Sequence, residues 1–354
     1  MAISNYATVN HSDGTVSSSA TDSVTVANRA TGSYTLNGGM ITSKTNVFNN
    51  LGTFVMTSGT MTTDGNYPTY YNNGGTATFK GGTIQNPGNK TPIYNKAGTT
   101  NIDGINLTNK GTTVQNGDSD NTTAILNINS GTISSLENLA ISNYATVNHS
   151  DGTVSSSSTS KATAINAAAG SYTLSGGSIT SSTGNAFINQ GTFMMKSGTM
   201  TTDGNAPVYV NNGGTATFQG GNILNTGGAI LTYNVSGTVN MDSMSLTNTG
   251  SVLINGKTAA DTSVTNLNDC SISSTESTTI GNNGILTITN GSVTSSAGNA
   301  INNARKVTLK GNAKITSSIK NYPTIYNKSG ATLTKDSTVT VTNTGGGTAI
   351  YNAS

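Results

Sequence analysis

The groups in this chain that are able to do chemistry are few. Among 354 residues there are fourteen Asp and Glu, two His and a single cysteine, Cys270. Paired carboxylates would suit glycoside hydrolysis, provided that they lie within about 10 Å of each other. Here the conspicuous pairs are copies: Asp13 with Asp151, Asp64 with Asp203, Asp103 with Asp242. The members of each pair stand 138 or 139 residues apart. His11 and His149 are likewise one position repeated. A metal centre would need His, Cys or Asp ligands converging from neighbouring segments, and no such column is present in the sequence. Arg29 and Arg305 are the only arginines, too few for the Arg and Asp constellation of a polysaccharide lyase. Cys270 has no partner for a disulfide and follows Asp269 in an extended segment, so it is expected to be an inert outward or turn residue. The expectation is a non-enzymatic protein without cofactor or metal.

The copies point to what would position these groups. An apolar residue, any residue, then Asn recurs along the chain, as in Ile93-Tyr94-Asn95 and Ile350-Tyr351-Asn352. The asparagines assigned to this column are Asn5, Asn28, Asn50, Asn72, Asn95, Asn116, Asn143, Asn166, Asn189, Asn211, Asn234, Asn255, Asn282, Asn302, Asn327 and Asn352, with a mean spacing of about 23. A fixed period in this range marks a repeat architecture. Abundant Thr, Val and Ile favour strands, while Gly and Asn favour turns. Each period holds three extended pieces: a first strand such as Ala77-Thr78-Phe79-Lys80, a second after a Gly turn such as Gly81-Gly82-Thr83-Ile84, and the Asn-bearing third. Alternation turns Phe79 and Ile84 inward. Stacked coil on coil, these pieces make an all-β parallel β-helix. Equivalent asparagines then lie about 4.8 Å apart, close enough for each side-chain amide to bond the next. That column is a structural ladder, not a catalytic one.

The sequence predicts one continuous solenoid over residues 1–354, about fifteen coils and roughly 70 Å long at strand spacing. Six-coil units cover 5–142 and 143–281, with a partial unit over 282–354; Ala2–Ser19 is identical to Ala140–Ser157. The repeat beginning in mid-pattern leads to the expectation of a segment from a longer array, with uncapped ends able to associate end to end. No run of 18 apolar residues is present, so no membrane insertion is expected. Charged residues are 8% and the net charge is +2, which gives nucleic-acid binding no support. Two long coils carry insertions, Gly117–Asn121 and Gly256–Asp261. The first resembles a short calcium loop but lacks the Gly and distal Glu of an EF-hand; a solvated loop is the expectation.

Outward residues offer the remaining candidates. Tyr precedes the ladder Asn at Tyr71, Tyr94, Tyr233, Tyr326 and Tyr351. Tyr71 with Tyr94, and Tyr326 with Tyr351, are expected to stack on adjacent coils, as a platform for sugar rings or as a brace for the sheet. Seven of sixteen cations fall within residues 305–335, Lys320 and Lys328 among them. Tyr326, Tyr351, Lys320 and Lys328 form the candidate binding surface, with Tyr71 and Tyr94 as a second strip. Lys80 and Asp103 are expected to form an exposed ion pair. Outward Thr residues (Thr42, Thr62, Thr108, Thr180, Thr201, Thr247, Thr294, Thr316) raise ice binding, which needs a flat face of regular Thr-x-Thr pairs. Thr287-Ile288-Thr289 and Thr332-Leu333-Thr334 fit, but Lys80, Asp103, Lys196, Asp242 and Lys310 are expected to interrupt the same face.

The Gly-Gly-x-Ile segments (Gly38–Ile41, Gly81–Ile84, Gly176–Ile179, Gly220–Ile223) together with the Asn column resemble repeats of bacterial and archaeal adhesin-like surface proteins. They are similar in style to chlamydial polymorphic outer-membrane repeats, without the Phe-x-x-Asn of that family. The resemblance spans the chain and implies a right-handed, pectate-lyase-like β-helix. It implies an extracellular, cell-surface stalk or adhesive segment whose partners are glycans or a neighbouring cell surface. A phage tail-fibre helix, a β-helical lyase or glycosidase and an ice-binding solenoid are the alternatives.

Overall fold

The computed structural model describes residues 1–354 and contains β-strands and turns but no helix, hence none long and apolar enough to cross a membrane. The chain forms two compact units, Met1–Ser182 and Thr183–Ser354. Each is a β-solenoid whose coils pair in parallel with the coils before and after.

The coil is seen most simply in the second unit. An Asn-bearing strand Ile280–Asn282 is followed by a first strand Ile285–Thr289 and a second strand Ser292–Ser295. The next coil repeats the order with Ile301–Asn303, Lys306–Lys310 and Lys314–Ser317. Register is maintained residue for residue: Leu286 faces Val307, Val293 faces Ile315 and Asn282 faces Asn303. In the first unit, the first and second strands often run on as one, as in Ser33–Ser43 and Thr53–Thr63, with a shift in register at Asn37.

Those kinks explain the Gly-Gly pairs. A Cβ on Gly38 would lie 1.9 Å from the Ser12 carbonyl oxygen of the coil before, and Gly39 has φ +67°. No L side chain fits the first position, and few adopt the second. Gly176 and Gly177 repeat the arrangement, with 1.9 Å to Ser150 O and φ +66°.

Period-2 alternation sends one set of side chains inside. In the first unit Phe48, Phe54, Tyr70 and Phe79 interlock, with Phe48 and Phe54 centroids 4.5 Å apart and Tyr70 meeting Phe79 edge-on at 4.9 Å. Phe193, Tyr209 and Phe218 form the equivalent cluster in the second unit. Each buried ring contributes on the order of 1.5–3 kcal/mol, in a core too narrow for a second layer.

The asparagines form the ladder. In the first unit the side-chain Nδ2 of Asn5, Asn28, Asn50, Asn72, Asn95, Asn116 and Asn143 each donates to Oδ1 of the next member, ending at Asn166, over 2.7–3.0 Å. In the second unit Asn189, Asn211, Asn234, Asn255, Asn282, Asn303 and Asn327 do the same, ending at Asn352, over 2.7–3.0 Å. Most also donate to a backbone carbonyl, as Asn28 does to Thr53 O at 2.9 Å. The amides are buried, except Asn352 in the last strand, and close the corner after each third strand.

Three expectations are corrected and one is upheld. The ladder member is Asn303, fully buried, and not Asn302, whose position pairs with Tyr326 on the outward side; with Ile301 inward, alternation puts Asn303 inward too. Cys270 is buried, its thiol lying 3.4 Å from Met241 O and 3.3 Å from Asn268 O, and burial raises its pKa. Lys80 and Asp103 form no ion pair; Lys110 and Glu137 form one instead, exposed and 3.7 Å long. The charged residues do interrupt the Thr-x-Thr face, as expected: Thr289 pairs with Lys310 and, on the other side, with Asn268, which pairs with Asp242. Asp242 and Lys310 lie on first strands, whereas Thr247, Thr294 and Thr316 lie on second strands that form a separate sheet.

Candidate ligand-binding face

The three-residue Asn-bearing strands have room for one outward side chain each. In Ile325-Tyr326-Asn327 the flanking residues are buried, and the middle one must face out. Register makes these middle residues a column. In the first unit it includes Asn49, Tyr71, Tyr94 and Gln115. In the second it runs Ile188, Val210, Tyr233, Ile254, Gly281, Asn302, Tyr326 and Tyr351.

Both predicted tyrosine pairs come together, in different ways. Tyr326 and Tyr351 lie nearly parallel, 11° apart with centroids at 5.5 Å, and Tyr351 is 48% exposed. Tyr71 and Tyr94 meet edge to face, at 76° and 5.3 Å, so this second strip is not a stack. The cause is the Gly117–Asn121 loop. Tyr94 donates a short hydrogen bond to the Asp118 carboxylate. Asp118 Oδ1 accepts from the backbone amides of Asp120 at 2.9 Å and Asn121 at 2.8 Å. Asp118 is accordingly held below the usual carboxylate range, first by the Tyr94 hydroxyl and then by these amides. Burial, followed by the Asp118 bond and charge, pushes the Tyr94 phenol well above its ordinary value. The loop is thus a clamp on one tyrosine. No group of three or more His, Cys, Asp or Glu converges to hold a metal.

The equivalent insertion in the second unit closes on itself. Asp261 Oδ2 accepts from the amides of Lys257 and Thr258, both at 2.6 Å, and Arg305 donates to the Asp261 carbonyl. Arg305 is therefore not a free cation. The basic residues clustered in sequence are distributed around the coil: Lys306, Lys310 and Lys335 on first strands, Lys314 on a second strand. Lys320 and Lys328 flank the Tyr326 strand on either side, both exposed. Of the predicted cations, these two are the ones beside the platform.

Tyrosine counting missed one feature. Ile188, Val210, Tyr233 and Ile254 occupy consecutive rungs of the outward column, each half-buried, forming an apolar stripe. The signal was the middle residue of apolar-x-Asn, whatever its type. The histidines belong to the interior: His149 Nδ1 lies 3.0 Å from the Tyr172 hydroxyl and Nε2 3.3 Å from Gly152 O.

Comparison of the chain with family models, with curated proteins and with solved structures gave no match.

Proposed function

We propose that this chain is a non-enzymatic segment of a cell-surface repeat protein, built as a right-handed, adhesin-like β-helix and serving as stalk and adhesive surface outside the cell. The observation that carries the adhesive part is the parallel Tyr326–Tyr351 pair, half-buried at Tyr326 and exposed at Tyr351, with Lys320 and Lys328 on either side of the Tyr326 strand. Stacked phenol faces suit the C–H faces of sugar rings, and two unpaired ammonium groups suit an anionic glycan. The stalk part is supported by coils that each bond only their neighbours, so length adds without a new core.

The test is binding of the full chain to a glycan panel and to alginate as an anionic probe. Combined Tyr326→Ala and Tyr351→Ala should weaken binding at least about tenfold. Lys320→Gln with Lys328→Gln should remove most of its salt dependence. Wild-type protein that binds nothing on the panel leaves a spacer alone.

Self-association is a second reading, favoured by one observation. In the last coil Leu333, Val341 and Ile350 are half-exposed, whereas Leu309, Ile315 and Ile325 of the coil before are buried. Sedimentation should show concentration-dependent oligomers; a strict monomer at every concentration removes this reading.

A further inference from the structure

Three of the surface depressions in this molecule occur at one kind of place. Each lies where the last outward residue of a second strand meets the turn that follows. In the first unit, one groove of about 360 Å³ is lined by Ser17, Thr42, Lys44, Thr62 and Asp64. Another, of about 380 Å³, is lined by Gln85, Pro87, Thr108 and Leu136. They share one row of rungs: Ser17 pairs with Thr42, Thr42 with Thr62, Thr62 with Gln85, and, further along, Thr108 with Ser134. The second unit has a groove of about 320 Å³ lined by Leu224, Thr226, Thr247, Thr249 and Thr275. Leu224, Thr247 and Thr275 are the positions of Gln85, Thr108 and Leu136 moved by 139 residues.

We propose that these grooves take an uncharged, linear polysaccharide running along the row of rungs. This goes beyond the tyrosine platform and does not depend on it. Charge selects the ligand class. The second-unit groove has no ionic lining residue. In the first unit, Lys110 lines one groove and is paired with Glu137, and Lys44 lines the other together with Asp64. What faces a ligand is hydroxyl and amide, with one exposed leucine in each of the duplicated grooves. Leu136 is 45% exposed and Leu224 47%, at opposite ends of equivalent sites. An apolar contact has thus been kept in both copies while its position changed.

The floor is rigid. Asn109 Nδ2 donates to Lys90 O at 3.0 Å and Thr112 O at 3.2 Å, and Asn225 Nδ2 donates to Ala206 O at 3.1 Å. These amides are satisfied by the turn. Of the rim hydroxyls in the second unit, Thr226 donates to the Asp203 carboxylate at 2.7 Å and Thr247 pairs with Ser273 at 2.9 Å, so these two face a ligand as acceptors, beside Thr249 and Thr275. The rungs repeat at about 4.8 Å, comparable to the length of one sugar in an extended pyranose chain. Such a chain turns its sugars over alternately, so every second sugar would meet every second rung in a similar way. The size of each groove falls at the low end of ligand sites, about 300–1,000 Å³, as expected for a few sugars of a longer chain. A protein partner would find too little apolar surface here.

The test is affinity electrophoresis of the full chain in gels containing mixed-linkage β-glucan, galactomannan or xylan, with alginate as the charged comparison. At least one neutral polymer should retard the wild type equally at low and high salt. Leu136→Ala combined with Leu224→Ala should weaken that retardation about tenfold, and each single change less, because one groove remains. Both side chains are exposed, so unchanged melting temperatures should accompany the loss. The proposal is overturned if no neutral polymer retards the chain, or if the double variant is retarded as wild type is. It is also overturned if the effect disappears with Tyr326→Ala and Tyr351→Ala instead, which would assign all binding to the tyrosine platform. Retardation by alginate alone would support the platform and remove the grooves.

Discussion

Residues Ala2–Ser19 and Ala140–Ser157 have the same sequence and different surroundings. In the first copy the Asn-bearing strand pairs on one side only, Ile3 with Val26. In the second, Ile141 pairs with both Val114 and Ala164. The consequences are graded. Ile3, Val9 and Val16 are half-buried, but Ile141, Val147 and Val154 are fully buried. His11 retains 7% exposure, whereas His149 has none. Tyr6 is 65% exposed, and its copy Tyr144 is half-buried. A coil does not complete its own burial; part of it is contributed by the coil in front.

The largest test of that contrast uses acid. His149 is held neutral, its pKa lowered from 6.5 to about 4 by burial, against smaller opposing effects of the Gly152 carbonyl and Asp151. A depressed histidine stabilises the fold at pH above its unfolded value. That stability is lost as pH falls from 6.5 toward 4, by about 3 kcal/mol in all. Urea unfolding across this window should show the loss, and His149→Gln should flatten it. A midpoint independent of pH between these values would show that the imidazole is solvated.

The ladder comes next. Asn143→Ala should strand a buried carbonyl on one side and an amide on the other, costing about 1–3 kcal/mol. Asn5→Ala, in the identical sequence, should cost about half as much, because it has a ladder neighbour on one side only and strands the Asn28 carbonyl alone. Equal melting temperatures for the two variants would break the comparison.

The smallest effects concern phenols. Tyr172→Phe should cost about 1 kcal/mol by leaving His149 Nδ1 without its donor. Tyr70→Phe should have the opposite sign, a gain of up to about 1 kcal/mol, because the buried Tyr70 hydroxyl has no hydrogen-bond partner. The Asn50 amide lies near it, but its hydrogens go to Gly52 O and Asn72 Oδ1. Thermal melts of the two variants, moving in opposite directions, would confirm that pairing, not burial, sets the value of a phenol here.

The solenoid was legible because it is a counting problem. A period near 23 and an Asn in a fixed place determine three parallel strands and their register. Where two asparagines adjoin, as at Asn302-Asn303, spacing alone misplaced the ladder by one; the inward Ile301 decides it. Cys270 does lie in a turn, between strands Val264–Asn268 and Ser271–Ser274, but spacing gave no sign that the turn buries it. The candidate face was only half legible. Sequence brings Tyr71 to Tyr94 and Tyr326 to Tyr351, but ring orientation depends on Asp118, a loop residue outside the period. The grooves were not legible, because they arise from where turns pull away from a strand and not from any residue type.

The ladder also has a direction. Within each unit every asparagine gives its hydrogen to the residue that follows in the chain and receives one from the residue before. A newly made coil therefore presents a waiting donor, and the next coil to be synthesised supplies the acceptor. A coil joining the other end would present its own donor to a waiting acceptor, so the same bond of fixed sense closes at either end. The amide dipoles, all aligned, reinforce one another along the row, so the column that holds the coils together also fixes the sense in which they stack.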